Sequence, residues 1–241
     1  MTIDNKKVAI ITGASEGIGA ALSLELLQNN FKVIGISSNK KKIKNIKNKL
    51  SHFNTCFKMY CADVRNYDDL KKISLKVKRI DLLILNAGIY QPVRVDRPNL
   101  QIFKTHYDVN FMGVLNAYVA FISKMISSKQ GTILIMSSIT AWIGLPKAAA
   151  YGPTKSALKS FAQSARYDLD KYGIKIKVCS PGFVDTPATK KNNFYMPGLL
   201  EADIAAKKIF KGINSKKFEI TFPFMFSTFM KVLSILPNEI S

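Results

Sequence analysis

The stretch Val8-Ala9-Ile10-Ile11-Thr12-Gly13-Ala14-Ser15-Glu16-Gly17-Ile18-Gly19 decides the fold. Its first five residues form a short apolar run that reads as a strand. Glycines follow, and over 18–27 the apolar residues recur at helical spacing. A tight turn out of a strand needs backbone angles that a Cβ disfavours. A pyrophosphate laid on the next helix needs close approach to its first amides, where the helix dipole favours an anion. The spacing here is G-x-x-x-G-x-G rather than the G-x-G-x-x-G of long-chain dinucleotide-binding units. Its place between a first strand and a long helix nevertheless implies a cofactor turn spanning Gly13, Ser15, Glu16, Gly17, Ile18 and Gly19.

Outward from this unit, strand-like and helix-like segments alternate. Further strands are expected over 31–36, 57–61, 82–85, 132–136, 174–179 and 218–222. Helices are expected over 40–50, 67–77, 100–126, 151–172 and 201–213. Several strands are apolar at nearly every position, the pattern of a parallel sheet covered on both faces. Strand–helix alternation with short links implies right-handed crossovers. The expected fold is α/β: a doubly wound parallel sheet, or Rossmann fold, of about seven strands with helices on both faces. A chain of 241 residues without repeat or linker is read as one domain over 1–241.

The net charge of +20 comes from 36 Lys and Arg against 16 Asp and Glu. Lysines cluster over 40–49 and 71–78, which read as solvated helix faces, so no nucleic-acid partner is expected. Cys56, Cys61 and Cys179 lack metal-ligand spacing and read as reduced thiols; no metal is expected, and the location is read as cytoplasmic. No secretion signal is visible, and no run of about 18 apolar residues argues for a spanning helix.

Ligands in open α/β sheets lie beyond the carboxyl ends of the strands. There the third strand is followed by Asp63 and Val64, the fourth by Asn86-Ala87-Gly88 and the sixth by Pro181-Gly182. Asp63 offers a carboxylate to an adenine amino group. The second strand ends in Ser37, Ser38, Asn39 and Lys40, with no carboxylate to repel a 2′-phosphate. That favours NADP(H), with NAD(H) as the alternative towards which Glu16 pulls. Tyr151 and Lys155, four apart on an expected helix, share one face. Ser138 lies just beyond the fifth strand. A phenol of pKa about 10 is a poor base at neutral pH, and a nearby ammonium favours its ionised form. Lys155 is therefore expected to tune Tyr151, and Ser138 to hold a substrate oxygen.

Taken together, the glycine turn, Asn86-Ala87-Gly88, Ser138, Tyr151-Gly152-Pro153-Thr154-Lys155 and Pro181-Gly182 make the chain similar to the short-chain dehydrogenase/reductase family over nearly its whole length. The resemblance implies hydride transfer between a nicotinamide and a carbonyl or alcohol carbon. It implies Tyr151 as general acid/base and Lys155 as its tuner and ribose ligand. Ser138 would orient the substrate oxygen, with Ser137 disfavoured by its spacing to Tyr151. Asn110 would support a proton relay, and Thr186, with Val184 beside it, would contact the nicotinamide.

The substrate wall is expected from Gln91, Val93, Ile139, Thr140, Trp142, Phe183, Val184 and a lid over 187–199 that includes Met196. An apolar helix is expected over 224–236, with Ser227, Lys231 and Ser234 as a narrow polar stripe. Its apolar surface is expected to be buried in the protein's own cleft or core, with a subunit interface or a membrane surface as alternatives. The leading reading is an oxidoreductase for a small or lipid-like hydrophobic substrate, acting as a homodimer or homotetramer. A 3-oxoacyl-carrier-protein reductase and a non-catalytic cofactor-binding regulator are the alternatives.

Overall fold

Residues 6–237 are described in the computed structural model. Nine strands and eight helices are formed among them: β1 (Lys7–Thr12), α1 (Gly17–Gln28), β2 (Phe31–Ser37), α2 (Lys40–Lys49), β3 (Phe57–Cys61), α3 (Tyr67–Leu75), β4 (Leu82–Leu85), α4 (Leu100–His106), α5 (Gly113–Ser128), β5 (Gly131–Met136), α6 (Gly152–Asp170), β6 (Ile174–Pro181), β7 (Val184–Asp185), β8 (Leu200–Glu201), α7 (Ala202–Ile213), β9 (Glu219–Phe222) and α8 (Phe224–Leu233). Seven strands make one sheet in the order β3-β2-β1-β4-β5-β6-β9, and every neighbouring pair is parallel. β7 and β8 form a separate two-stranded ribbon. The expected doubly wound parallel sheet is present.

The sheet is covered twice because its strands bury both faces. Ile10, Leu83 and Ile133 point to a core shared with Leu70 of α3, Phe121 of α5 and Leu158 of α6. Their sequence neighbours Ile11, Ile84 and Leu134 point the other way, onto Leu22 and Leu26 of α1, Ile46 of α2 and Ile209 of α7. This is the two-residue alternation of a strand, with apolar side chains on both phases. From β1 the chain moves outward through β2 to β3, then returns to β4 on the other side of β1. The reversal opens a crevice at the carboxyl ends of β1 and β4.

Three elements depart from expectation. The single helix expected over 100–126 is interrupted by a π-helical turn, Tyr107–Met112, between α4 and α5. One extra residue per turn there aims the Asn110 side chain inward, where it is fully buried. This helical stretch is long and apolar enough by composition to cross a membrane. Instead it packs Val114, Ala117, Phe121 and Met125 onto the sheet. β6 runs two residues past its expected end, to Pro181.

The third departure is α8, which forms where expected but leaves part of its apolar surface uncovered. Ser227 and Met230 are its buried residues, whereas Phe224, Met225, Phe229 and Val232 are exposed. Ser227 and Met230, with Phe226 and Leu233 half-buried beside them, meet the body. At the edge of that face Lys231 pairs with Glu219 of β9. The tail meets the cleft wall through Phe226, which stacks on Phe183.

Candidate active site

The β1–α1 turn is built from two left-handed glycines, Gly13 (φ 69°) and Gly17 (φ 54°). A Cβ on Gly13 would also stand 2.9 Å from the Ala87 backbone, so the two loops touch main chain to main chain. Thr12 and Asn86 fasten them. The Thr12 hydroxyl accepts from the amides of Asn86 (3.0 Å) and Ala87 (3.1 Å). The Asn86 amide donates back to the Thr12 (3.0 Å) and Gly13 (3.2 Å) carbonyls. Asn86 thus builds the crevice wall with its side chain turned away from any ligand. The N-cap of α1, Glu16, offers no side-chain acceptor to the first-turn amides, which leaves that helix end open to an anion.

A cleft of about 580 Å³ runs from this turn across the sheet edge. Gly13, Ser15, Glu16, Gly17, Ile18, Gly19, Ser37, Ser38, Asn39, Asp63, Val64, Asn86, Ala87, Gly88, Pro181, Gly182, Val184 and Thr186 line it, together with Ser138, Tyr151 and Lys155. Its size suits an extended cofactor with room for a small substrate. Gly88 opens the approach to its far end, since a Cβ there would stand 3.3 Å from Asn110 Oδ1 and 3.5 Å from Lys155 Nζ. The residues present therefore fit a dinucleotide.

At the adenosine end the structure corrects two expectations. Lys40 does not reach the cleft; it begins α2, whose N-cap is Asn39. Lys42, two residues further along, reaches it instead and pairs with Glu16 at 2.6 Å. Helical geometry explains the switch, since residues two apart on a helix project in different directions. Asp63 is already engaged by Arg65, which holds its carboxylate at 2.7 Å and leaves it fewer lone pairs for an adenine amino group. The guanidinium holds that carboxyl below its usual range, against the opposing effect of burial. Neither Lys42 nor Arg65 was legible as a cleft residue from the sequence, where Lys42 read as part of a solvated helix face.

At the other end, Tyr151 caps the start of α6 and Lys155 lies one turn along it. Lys155 Nζ stands 5.3 Å from the Tyr151 ring centre and donates to the Met136 carbonyl at 2.8 Å. Ser138 faces the cleft, whereas the hydroxyl of Ser137 is spent on the Lys155 carbonyl at 2.9 Å. Burial pushes the Tyr151 phenol up to about 12, against the pull of a hydrogen bond with Ser138. Burial also lowers Lys155 to about 8. Burial is the largest influence on both groups, favouring the neutral phenol and easing loss of the lysine's proton. Asn110 sits behind this group. It accepts from the Ile89 amide (2.7 Å) and donates to the Ile89 carbonyl (3.0 Å) and the Thr154 hydroxyl (3.3 Å). Its side chain braces the loop after β4 rather than reaching into the cleft.

The substrate wall is only partly as expected. Ile139, Thr140 and Phe183 line the cleft; Gln91, Val93, Trp142 and Met196 do not. Gln91 gives its backbone amide to His106 Nε2 (3.1 Å). Val93 is buried against the loop of Lys147. The Met196 sulfur accepts from Asn192. Trp142 turns the other way and donates its indole N–H to Glu219 (2.8 Å). That carboxylate also accepts from Ser180 (2.7 Å) and pairs with Lys159 (3.4 Å) and Lys231 (3.3 Å). Tyr90, Leu145 and Phe194 stand in the cleft instead. The Tyr90 ring meets that of Tyr151 edge-on at 5.3 Å. Two buried side-chain oxygens in these walls, Thr140 Oγ1 and Asn192 Oδ1, have no hydrogen-bond partner among the described residues.

The family model for short chain dehydrogenase matches residues 7–195. The chain belongs to the short chain dehydrogenase family. It is by that membership an NAD(P)-dependent oxidoreductase. It is 32% identical over 208 residues to a protein described as an uncharacterized oxidoreductase from Staphylococcus epidermidis, covering 85% of this chain and 89% of that one. It is 27% identical over 238 residues to another from Myxococcus xanthus, covering 97% and 94%. Among solved structures, a short chain dehydrogenase from Burkholderia cenocepacia in complex with NADP superposes with a TM-score of 0.84 at 25% identity, over 98% of this chain and 95% of that one. ElxO with NADP bound superposes with a TM-score of 0.80 at 26% identity, over 90% and 97%.

Proposed function

We propose that this short chain dehydrogenase reduces the carbonyl of a small, largely apolar substrate with NADPH, Tyr151 delivering the proton, and catalyses the reverse oxidation. The observation that carries the reading is the convergence of Ser138, Tyr151 and Lys155 at the inner end of the cofactor-sized cleft. NADP(H), when bound along that cleft, supplies or takes the hydride. The choice of NADP(H) is supported by Lys42, which neutralises Glu16 where a 2′-phosphate would lie, and by the NADP bound in the two similar structures.

Tyr151 enters the cycle as a neutral phenol, because burial holds its pKa near 12. That is the form needed to give a proton to a carbonyl oxygen as hydride reaches the carbon. Ser138 orients that oxygen by hydrogen bonding. The Lys155 ammonium has donors left beyond the one spent on Met136, and these suit the ribose hydroxyls. Asn110 keeps the loop that carries Tyr90 in register with Tyr151. The partnerless oxygens of Thr140 and Asn192 support a substrate that brings a second polar group into an otherwise apolar wall, since a buried polar atom left unpaired costs about 1–3 kcal/mol. The three free cysteines support a reducing, cytoplasmic location.

The test is NADPH oxidation, followed by absorbance, across a panel of apolar aldehydes and ketones, with and without a second hydroxyl. Tyr151→Phe is expected to bind NADPH normally and to lose at least about a thousandfold in turnover, about 4 kcal/mol of barrier. Turnover within tenfold of wild type would remove Tyr151 from this role.

A further inference from the structure

The outward face of α8 is apolar where a solvated helix would be polar. At about 100° per residue, Phe224, Met225, Phe229 and Val232 of α8 fall within one arc of about 140°, interrupted by Thr228 alone, and the exposed Ile235 follows the helix end. Phe224 is 81% exposed and Met225 84%. The opposite arc holds Phe226, Ser227, Met230 and Leu233, which meet the body, with Lys231 at its edge reaching Glu219. A soluble monomer rarely leaves so continuous an apolar stripe open to water.

This stripe begins beside the cleft mouth. A Cβ on Gly198 would stand 2.7 Å from Pro223, the residue before α8, so the end of the 187–199 loop rests on the helix start. Phe226 of α8 stacks on Phe183 (5.7 Å), and Phe183 meets Phe194 of the loop edge-on (5.9 Å). At the loop tip Tyr195 is 85% exposed. Residues 186–200 contain Lys190 and Lys191 and no acid, and residues 223–237 contain Lys231 and no acid.

We propose that α8 and the tip of the 187–199 loop form a docking surface for an anionic lipid bilayer, which sets the cleft mouth against the membrane. Charge selects this occupant over a second copy of the chain. Two molecules of net charge +20 repel one another across an apolar contact, whereas an anionic surface attracts them. Exposed Phe and Met on α8 beside Tyr195 and the exposed Lys190 of the loop make the composition of an interfacial surface, with apolar groups at the acyl boundary and an ammonium group among the headgroups. The inference deepens the proposed reductase reading, because it gives the substrate class as an apolar carbonyl compound partitioned into lipid.

The experiment is vesicle co-sedimentation of the full chain, which needs no turnover and so stands or falls apart from the catalytic reading. Phosphatidylcholine vesicles are compared with vesicles in which about a third of the lipid is phosphatidylglycerol, at low salt and at about 0.5 M salt, where charges are screened beyond a few ångströms. Binding is expected to the anionic vesicles, at least about tenfold tighter than to the neutral ones, and weakened by salt. The variant Phe224→Ser/Met225→Ser/Phe229→Ser is expected to lose at least about tenfold in that binding, because the interfacial apolar area is gone. It is expected to keep wild-type melting and NADPH binding, since all three side chains are exposed and stand outside the cleft. Absence of binding to anionic vesicles would overturn the proposal. So would equal binding by the triple variant, which would leave only nonspecific charge attraction. A dimer that the triple variant dissociates, without vesicle binding by the wild type, would assign the face to a second copy and overturn it as well.

Discussion

Glu219 is the place where a single substitution tests most of the packing described above. Its carboxylate, 14% exposed, joins four elements: Trp142 from the loop after β5, Ser180 of β6, Lys159 of α6 and Lys231 of α8. Glu219→Ala leaves two donors and two ammonium groups facing a void. Removing one partner of a buried, hydrogen-bonded ion pair costs about 3–5 kcal/mol. The lower end applies, because Lys231 is near enough to solvent to turn outward, so about 3 kcal/mol is expected. For a domain of this size that corresponds to about 6–12 °C in Tm. Glu219→Gln keeps an acceptor and loses the charge, so about half that loss is expected. The dependence on pH gives the sign. Burial alone would raise the Glu219 pKa, but the Ser180 hydroxyl, Lys159, Trp142 and Lys231 outweigh it and hold the group below its usual 4.5. A depressed carboxylate contributes stability that is full above its unfolded pKa and is lost as pH falls through the folded value. Thermal melts followed by circular dichroism should therefore show the wild type and Glu219→Ala far apart at pH near 7, and converging as pH falls below about 4. A variant that melts within about 2 °C of wild type at neutral pH, or a gap that does not change with pH, would refute the clasp.

Three further outcomes follow from the site. Lys42→Ala should weaken NADPH binding by about tenfold while leaving NADH binding within about twofold, because only the former brings a 2′-phosphate to the freed Glu16 carboxylate; fluorescence titration of both cofactors checks this, and equal losses would count against it. The kcat/KM for carbonyl reduction should be level from mildly acidic pH to neutrality and fall above about 8, as Lys155 loses the proton whose affinity burial has lowered while Tyr151 stays protonated; a fall centred near 10 would show that the lysine keeps its ordinary value. Asn110→Ala should lower kcat by about tenfold or more and raise KM less, since it releases the Ile89 main chain and with it the loop that places Tyr90 on Tyr151; unchanged steady-state kinetics would reduce Asn110 to a packing residue.

The sheet was legible because its information is local and redundant. Each parallel strand is a short apolar run, each cleft loop follows such a run, and each glycine that must bend or approach closely has no substitute. Tyr151, Lys155 and Ser138 were legible for the same reason, since a helical spacing of four and a strand end place them without long-range knowledge. What escaped was the direction of long side chains. Trp142, read as a cleft aromatic, turns to a carboxylate 77 residues away in sequence. Lys42, read as a solvent cation, meets Glu16 of the cofactor turn. In these cases the partner lies far along the chain, and a sequence window holds only one half of the pair.

The rotation of α8 divides its apolar residues. An apolar helix surface is expected to be covered, and Phe226 and Met230 are, whereas the arc of Phe224, Met225, Phe229 and Val232 faces outward. Burying that arc, however, would turn Met230 and Ser227 out of the body, lift Phe226 off Phe183 and leave Glu219 with Lys159 as its cation. Removing one cation from a buried carboxylate costs stability. Each exposed Phe or Met that found cover would return about 1.5–3 kcal/mol, an upper bound. Cover is available only where the body offers an apolar surface, and β9 presents Glu219 instead. The buried contacts and the polar anchor together decide the rotation of the helix. The apolar arc is left facing outward beside the cleft mouth, and a surface with lipid-like chemistry is what would satisfy both demands at once.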